Sequence, residues 1–217
     1  MGNGLIVILA LILLTTLLYL EKRENRKGRL PTKIVLSMLF VVAALLQPHP
    51  LLAYYRFLLL GLLFCLVGDV FLALPPEKMF LAGLISFLLG HVCYVVGFFY
   101  VSTPNGWTLT GTLATVVVSG GIYLWLKPHL GAMKFPVFFY VVVITVMLSG
   151  AWTVLGDSGL TRSGRIMVFA GALSFYFSDV FVARDRFLKY QFINRLIGLP
   201  MYYTGQFLLA FSVGLLT

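Results

Sequence analysis

Charged residues are scarce in this chain of 217 residues. They make up 11% of it, whereas apolar residues make up 60%. A soluble domain has about 25% charged and about 45–50% apolar residues. Together with a mean hydropathy of +1.00, the shortage of charge excludes a water-soluble globule and a disordered chain. The sequence predicts an all-α, polytopic membrane protein that forms a single integral membrane domain over residues 1–217.

Cysteine and histidine are scarce too, with two and three residues. Cys65 and Cys93 lie in apolar runs, so they give neither metal-site spacing nor a disulfide framework, and we interpret them as buried thiols. A catalytic zinc site usually has three protein ligands, often histidines. His49 and His129 fall in predicted loops on opposite sides of the membrane, and only His91 lies within a span. We therefore predict no metal and no other cofactor.

Carboxylates are the third scarce group. The seven are Glu21, Glu24, Asp69, Glu77, Asp157, Asp179 and Asp185. Five of them lie in or beside polar segments, whereas Asp69 and Asp179 lie inside apolar runs. An ionisable residue at the bilayer centre costs about 2.5–3.5 kcal/mol on insertion scales, so it indicates a functional site or a paired structural group. Asp69 and Asp179 are the candidate catalytic residues.

Apolar runs of about the length needed to cross a bilayer occur throughout the chain. The predicted spans are 4–20, 33–47, 57–74, 79–101, 109–126, 135–155, 165–183 and 196–216. Turn-forming residues separate them at Pro75-Pro76, Pro104-Asn105-Gly106, Lys127-Pro128 and Gly156-Asp157-Ser158-Gly159. Basic residues follow the first apolar run and do not precede it. We therefore predict that this run is a membrane span with a translocated N-terminus and not a cleavable signal peptide.

The net charge of +9 could indicate nucleic-acid binding, but the basic residues lie between apolar runs, as in membrane orientation signals. The loops after spans 1, 3, 5 and 7 hold most of them: Lys22, Arg23, Arg26, Lys27, Arg29, Lys33, Lys78, Lys127, Lys134, Arg184, Arg186, Lys189 and Arg195. The other side holds Arg56, Arg162 and Arg165. The positive-inside rule then predicts that both termini lie outside. No nucleic-acid partner is predicted.

Two segments of the chain resemble each other. Residues 61–73 (GLLFCLVGDVFLA) and 171–183 (GALSFYFSDVFVA) share their Asp and five other residues. The segments lie four spans apart, so they run in the same direction and predict two parallel four-helix halves, about 1–105 and 106–217. Chance similarity between apolar segments is the alternative. In a duplication, Asp69 and Asp179 lie at one depth, about 7–8 Å from the cytoplasmic helix ends.

Six further polar side chains are predicted to bind substrate near the two aspartates. Helical rise places four within about 10 Å of the cytoplasmic surface: Lys33, Tyr140, Tyr202 and Tyr203. Gln206 lies one turn deeper than Tyr202, and His91 lies near the midplane, about 18 Å deep. In a purely structural alternative, Lys33 pairs with the aspartates, the tyrosines belong to an aromatic belt, and His91 is an interior histidine.

The available residues favour acid–base chemistry. The sequence has no GxSxG elbow and no glycine-rich phosphate loop followed by Lys-Ser or Lys-Thr. Two close carboxylates in a poorly solvated site do not both ionise, so one keeps its proton as a general acid while the other is a base. Such a pair suits a reaction that begins with protonation and ends with addition of water.

Several motifs together resemble one known family. They are Lys33 at the start of span 2, GLLFCLVGDVFLA at 61–73, FLLGHVCY at 87–94, Pro136 with Tyr140, Ile144 and Met147, GALSFYFSDVFVARDRF at 171–187, and YYTGQFLLA at 202–210. With them the chain resembles the YhhN family of membrane proteins, which includes the mammalian lysoplasmalogenases, over nearly its whole length. Ile34 stands where the family often has Pro, and Gly205 where it often has Ala. Neither change removes a reactive group.

The resemblance implies a bacterial inner-membrane enzyme with eight spans. It would hydrolyse the sn-1 vinyl-ether bond of a lysoplasmalogen (lysoplasmenyl ethanolamine or choline) to a fatty aldehyde and a glycerophospho-headgroup. One of Asp69 and Asp179 would protonate the alkene, and the other would stabilise the oxocarbenium ion and deprotonate the water. The roles of the two remain open. The site would bind water and glycerol oxygens through His91, Tyr140, Tyr202, Tyr203 and Gln206, and phosphate through Lys33, helped by Arg184 or Arg186.

Two other classes of function fit some of these features. Parallel repeats and intramembrane aspartates also occur in small transporters and proton-coupled carriers. Such a carrier should have its polar site near the midplane, with access from both faces, whereas the predicted cluster here is one-sided. A lipid-binding structural protein, in which the aspartates only pair with Lys33, is the third class.

Overall fold

A computed structural model describes residues 2–74 and 77–217 of the chain. All eight predicted helices are found: α1 Gly2–Lys22, α2 Arg26–Leu45, α3 Leu52–Ala73, α4 Glu77–Val101, α5 Gly106–Leu126, α6 Lys134–Gly156, α7 Arg162–Phe187 and α8 Phe192–Ser212. Two short 3-10 segments connect α5 to α6, and no strand occurs within the described ranges. The all-α prediction is therefore confirmed.

The predicted turn residues end or begin helices where the structure describes them. Asn105 caps α5: its side chain accepts hydrogen bonds from the backbone N–H groups of Trp107 and Thr108, and the Thr108 hydroxyl accepts from the Asn105 N–H. This is a capping box, which satisfies otherwise unpaired backbone donors. After α6, the Gly159 N–H donates to Asp157 Oδ1 at 3.0 Å. The predicted break at Pro75-Pro76 lies outside the described residues.

The helices have the length and composition of membrane spans. Of the described helices, α1 to α7 are long and apolar enough to cross a membrane, which confirms a polytopic membrane protein. Helix α8 has 21 residues, but Asn194, Arg195 and Gln206 make it less apolar. Helix α2 begins at Arg26, seven residues before the predicted start of span 2.

Two tight helix pairs have the same construction. In the first pair, a Cβ built on Gly90 of α4 would lie 3.1 Å from the carbonyl oxygen of Gly61 on α3. In the second, a Cβ built on Gly205 of α8 would lie 2.8 Å from the carbonyl oxygen of Gly171 on α7. Small residues let membrane helices approach this closely. The two glycine contacts therefore occupy corresponding places in α3/α4 and α7/α8.

Further contacts recur in both halves of the chain. One serine hydrogen bond joins each helix pair, with the donor on opposite helices: Ser86 on α4 donates to the Phe64 carbonyl on α3 at 2.7 Å, while Ser174 on α7 donates to the Met201 carbonyl on α8 at 2.8 Å. In the first half, α1 packs against α2 and α2 against α3; in the second half, α5 packs against α6 and α6 against α7 in the same way. The contact between α2 and α8 likewise corresponds to the contact between α6 and α4. These recurring pairs support our proposal that the halves, about 1–105 and 106–217, are a parallel duplication.

We predict that replacing Gly111 by Ala destabilises the bundle. A Cβ at Gly111 of α5 would lie 2.1 Å from Cγ of Trp152 on α6, whose ring stacks on that of Trp107. Overpacking of this kind costs about 1–3 kcal/mol, and it should lower the melting temperature of the protein in detergent. Gly120→Ala on the same helix is the matched control, since no atom lies within 4 Å of its built Cβ. Equal melting temperatures for the two variants would contradict this prediction.

Candidate functional site

A cavity of about 900 Å³ lies at one end of the bundle. All eight helices contribute to its walls, each with the end that carries the predicted cytoplasmic loops. Five of the eight predicted site residues line it: Lys33, Asp69, Tyr140, Asp179 and Tyr202. Much of the remaining wall is apolar, including Leu72, Leu84, Ile122 and Ile144. The cavity combines a small polar region with a large apolar one, as lipid and small-molecule sites do.

Asp69 is held by three donors from two other helices. Lys33 Nζ lies 3.0 Å from Asp69 Oδ1. Asp69 Oδ2 accepts hydrogen bonds from Ser37 Oγ at 2.6 Å and from the Tyr202 hydroxyl at 2.7 Å. The Asp69 side chain is only 2% exposed, and buried carboxylates are normally paired and hydrogen-bonded. These contacts pair the Asp69 carboxyl group with a cation and two hydroxyl donors and fix its position.

Asp179 has a different set of partners and is more open. The Tyr140 hydroxyl donates to Asp179 Oδ2 at 2.6 Å, and His91 Nε2 lies 3.3 Å from the same oxygen. His91 Nε2 is also 3.3 Å from the Tyr140 hydroxyl, so the three groups form one compact cluster. The Asp179 side chain is 18% exposed, against 2% for Asp69. Of the two carboxylates, Asp179 is the one more accessible from the cavity.

The two carboxylates are held by helices that correspond to each other in the proposed duplication. Asp69 on α3 is held by α2 and α8, whereas Asp179 on α7 is held by α6 and α4. Asp69 lies four residues before the end of α3 at Ala73, and Asp179 lies eight residues before the end of α7 at Phe187. Helix α7 therefore continues past the predicted end of its span, and the tail 184–187 reaches the cavity mouth.

Three predicted site residues lie behind the cavity wall. His91 is fully buried and contacts the site only through Asp179 and Tyr140. The Tyr203 hydroxyl lies 3.3 Å from Ser37 Oγ, which itself bonds Asp69. Gln206 is fully buried and accepts from the Tyr94 hydroxyl at 2.8 Å. These side chains can position the cavity residues, but they are not among the residues that line the cavity.

Sequence reasoning missed Ser37 and most of the charged residues at the cavity mouth. Ser37 lies four residues after Lys33, so helical spacing places both on one face of α2, a signal that was available. At the mouth, Arg184 Nη1 donates to Asn194 Oδ1 at 2.7 Å. Arg184 is not among the residues that line the cavity. Arg186 does line the cavity, with its guanidinium 4.7 Å from the centroid of the Phe80 ring.

Proton transfer is the chemistry that this arrangement supports. It places two carboxylates, an ammonium group, two phenol hydroxyls and an imidazole close to one cavity. Among the described residues, no group of three or more His, Cys, Asp or Glu side chains could hold a metal ion. The buried Cys65 Sγ lies 3.7 Å from the Tyr94 hydroxyl, and Cys65 is not among the residues that line the cavity.

Comparison with known proteins gives one family and several relatives. The YhhN family matches residues 28–213. Proteins named lysoplasmalogenase from Mycobacterium tuberculosis and Mycobacterium bovis are each 29% identical over 174 residues, 77% of this chain. Lysoplasmalogenase TMEM86A from Bos taurus is 32% identical over 157 residues, covering 70% of this chain and 62% of its own length. The match spans 63% of the length of the mycobacterial proteins. No solved structure matches the chain.

Proposed function

Since the chain belongs to the YhhN family, we propose that it is a membrane-embedded hydrolase of lysoplasmalogens. The reaction is hydrolysis of the sn-1 vinyl-ether bond, which releases a fatty aldehyde and a glycerophospho-headgroup. One observation carries the proposal: two carboxylates from corresponding helices, Asp69 and Asp179, line a single, largely apolar cavity. The names of the relatives support the substrate class, and the geometry supports acid–base catalysis.

Asp179 is the proton donor in this mechanism. Its Oδ2 accepts the Tyr140 hydroxyl, so the acidic proton resides on Oδ1. The proton passes from Oδ1 to the alkene carbon that is not bonded to oxygen, and an oxocarbenium ion forms at the other. General acid catalysis of this kind contributes about 10²–10⁴-fold. The greater exposure of Asp179 supports giving this role to it and not to Asp69.

Asp69 stabilises the cation that forms. Lys33 and two hydroxyl donors hold Asp69 as a carboxylate, and a fixed negative charge in a poorly hydrated cavity favours a developing positive charge. Water then adds to the oxocarbenium carbon, and its proton passes to the Asp179 carboxylate, which restores the acid. The resulting hemiacetal collapses to the aldehyde and the free glycerol hydroxyl. No proton is gained or lost over the cycle.

The charge distribution supports a cytoplasmic position for the site. The cavity opens at the end of the bundle that carries most of the basic loop residues, and the positive-inside rule places that end in the cytoplasm. In a bacterial inner membrane the site would then lie near the cytoplasmic surface, with both termini outside. The apolar walls would take the alkenyl chain of a lysolipid that enters from the bilayer.

Aldehyde release from purified protein tests the proposed function. The protein in detergent is incubated with 1-alkenyl lysophosphoethanolamine or lysophosphocholine, and the fatty aldehyde is trapped and quantified. The matched substrate is the saturated 1-O-alkyl lysolipid, which cannot be protonated to an oxocarbenium ion and should release nothing. If the vinyl-ether lipid yields no aldehyde under conditions in which the protein stays folded, the proposed function is wrong.

A carrier is the alternative function, and the position of the cavity argues against it. A carrier needs access to its site from both membrane faces. The described residues that line the cavity lie in one half of their helices, from the predicted cytoplasmic ends to about the helix centres, while the pocket lined by Pro50–Ala53, Arg56 and Tyr100 lies at the other end. Solute uptake into proteoliposomes, without aldehyde release from the lysolipid, would favour the carrier.

We predict that Tyr140→Phe lowers the rate of aldehyde release. The substitution removes the hydroxyl that bonds Asp179 Oδ2, and the proton of Asp179 can then reside on the wrong oxygen. Asp179 becomes charged as it gives up its proton, and loss of a hydrogen bond to a charged group costs about 1.5–3 kcal/mol, which corresponds to about 10–100-fold in kcat. Tyr176→Phe is the matched control, because Tyr176 lines the same cavity but pairs with Ser119. Similar rates for both variants would rule out a positioning role for Tyr140.

A further inference from the structure

Four charged side chains form a connected cluster at the cavity mouth, which we call the rim cluster: Glu21, Arg29, Asp185 and Arg195. Glu21 Oε2 accepts from Arg29 Nη1 at 2.7 Å and also from Arg195 Nη1. Arg195 Nε and Nη2 each lie 3.4 Å from Asp185 Oδ2. The cluster therefore joins α1, α2, α7 and α8, and it contains two positive and two negative charges.

The rim cluster belongs to the cavity and not only to the bundle surface. All four side chains line the cavity, and they are between 10% and 26% exposed. Charges this little exposed are stable only while each keeps a partner of opposite sign. Little free energy is lost when such a pair exchanges its partner for a ligand of matching charge.

Asp185 is held in place independently of its arginine. Asp185 Oδ1 accepts from Asn194 Nδ2 at 3.1 Å and from the Gln191 N–H at 3.2 Å. Asn194 in turn accepts from Arg184 Nη1. The Asp185 carboxylate thus keeps its position when Arg195 moves toward a ligand, and its Oδ2 is then free to accept a new donor.

Helix α2 relates the rim cluster to the two catalytic carboxylates. Arg29 lies four residues before Lys33, which contacts Asp69, so the two are on one face and about 6 Å apart along the axis. In a lysoplasmalogen, the glycerol carbons and one oxygen separate the vinyl-ether oxygen from the phosphorus, a distance of about one helical turn. On α7, Asp185 lies six residues after Asp179, about 9 Å along the axis, so a lipid whose vinyl ether is at Asp179 can place its headgroup at the rim cluster.

We propose that the rim cluster binds the zwitterionic headgroup of the lysolipid and selects it against anionic headgroups. This proposal rests on the proposed function for the class of lipid. Arg29 and Arg195 bind the phosphate, for which the arginine fork is well shaped. Glu21 and Asp185 then pair with the positive nitrogen of the headgroup, by hydrogen bonds for ethanolamine and by charge alone for choline. Beside them, the exposed Tyr190 ring, 5.0 Å from the Arg195 guanidinium, offers an aromatic face to a cation.

The charge balance of the rim cluster gives the selectivity. A zwitterion supplies one negative and one positive group, so both arginines and both carboxylates remain paired. A phosphoglycerol headgroup supplies only the negative group, and the two carboxylates then lie beside a ligand of like charge without a counter-ion. Like-charge contacts of this kind suppress binding of the wrong partner.

Equilibrium binding of non-hydrolysable lipids tests this proposal. The probes are radiolabelled saturated 1-O-alkyl lysolipids with phosphocholine, phosphoethanolamine or phosphoglycerol headgroups, bound to the full-length protein in detergent. The unsubstituted protein should bind the two zwitterionic lipids about tenfold more tightly than the anionic one, as expected for one charge-assisted contact. Asp185→Asn should reduce this ratio to near one. Arg195→Gln should weaken all three lipids about tenfold, since each carries the phosphate.

Arg162→Gln is the matched control. Arg162 is exposed at the opposite end of α7, so its loss should change neither affinity nor selectivity. A purely structural rim cluster gives another pattern: lower melting temperatures in both rim variants, with the headgroup ratio unchanged, and that pattern would overturn the proposal. A ratio near one in the unsubstituted protein would overturn it as well. Because no probe is turned over, a protein that shows the predicted selectivity but releases no aldehyde refutes only the proposed function.

Discussion

Replacing Asp179 by Asn is expected to lower the rate of aldehyde release by at least about a hundredfold, the lower end of the contribution of a general acid. An amide has the size of the carboxylic acid and still accepts the Tyr140 hydroxyl, but it cannot deliver a proton to an alkene carbon. The Asp179 carboxylate contacts Tyr140 and His91, and an amide oxygen in its place can keep both contacts, so the melting temperature should change little. The measurement is single-turnover aldehyde release, with thermal unfolding of the same sample.

Asp157→Asn is the control for this variant. Asp157 lies at the opposite end of the bundle, where its Oδ2 accepts from the Ser102 hydroxyl, and it is absent from the cavity wall. Its replacement should leave turnover unchanged. Near-normal turnover by Asp179→Asn would show that Asp179 is not the acid. The same rate in a parallel Asp69→Asn variant would remove the carboxylate mechanism altogether.

Replacing Asp69 by Asn is expected to abolish turnover and also to destabilise the protein. The variant loses the negative charge that stabilises the oxocarbenium ion, and it leaves Lys33, only 12% exposed, without its counter-ion. Breaking one side of a buried ion pair costs about 3–5 kcal/mol. The access of Lys33 to the cavity reduces that figure. The expected result is therefore a lower melting temperature together with a loss of activity, in contrast to Asp179→Asn.

The double variant Lys33→Met and Asp69→Asn separates the two effects. It removes both charges, and replacing a whole buried pair by neutral groups is often neutral or stabilising. The melting temperature should recover toward that of the unsubstituted protein, while aldehyde release should stay lost. If activity returns together with stability, Asp69 has only a structural role and the electrostatic role proposed for it is wrong.

The helices themselves were largely predictable from the sequence. Apolar runs of spanning length gave all eight, because burying backbone polar groups in lipid requires a helix with its hydrogen bonds made internally. The bounds were less predictable: α2 begins at Arg26 and α7 ends at Phe187, each beyond its apolar run. Charged residues can continue a helix at the membrane surface, because water and ion pairs satisfy their charges there. Hydropathy does not predict such extensions, since it follows only the apolar run.

The scarcity of acidic residues within the spans identified Asp69 and Asp179 from the sequence alone. An intramembrane carboxylate is costly wherever it lies, so its rarity points to it without any knowledge of its neighbours. The same argument could not predict which of the surrounding polar residues line the cavity and which lie behind its wall. Tyr202 and Tyr203 are adjacent in the sequence, yet Tyr202 lines the cavity and bonds Asp69, while Tyr203 lies behind Ser37.

Helix packing decided which predicted residues meet and how each carboxylate is held. The rotation of each helix about its axis determines whether a side chain faces the cavity, a neighbouring helix or lipid, and that rotation is set by close contacts such as Gly61/Gly90 and Gly171/Gly205. The structure thus pairs Asp69 with Lys33 and Asp179 with His91 and Tyr140. The sequence determined that this protein crosses the membrane and holds two carboxylates within it. Their different environments, and so the roles proposed for them, depend on side chains brought together from distant helices, which only the tertiary structure decides.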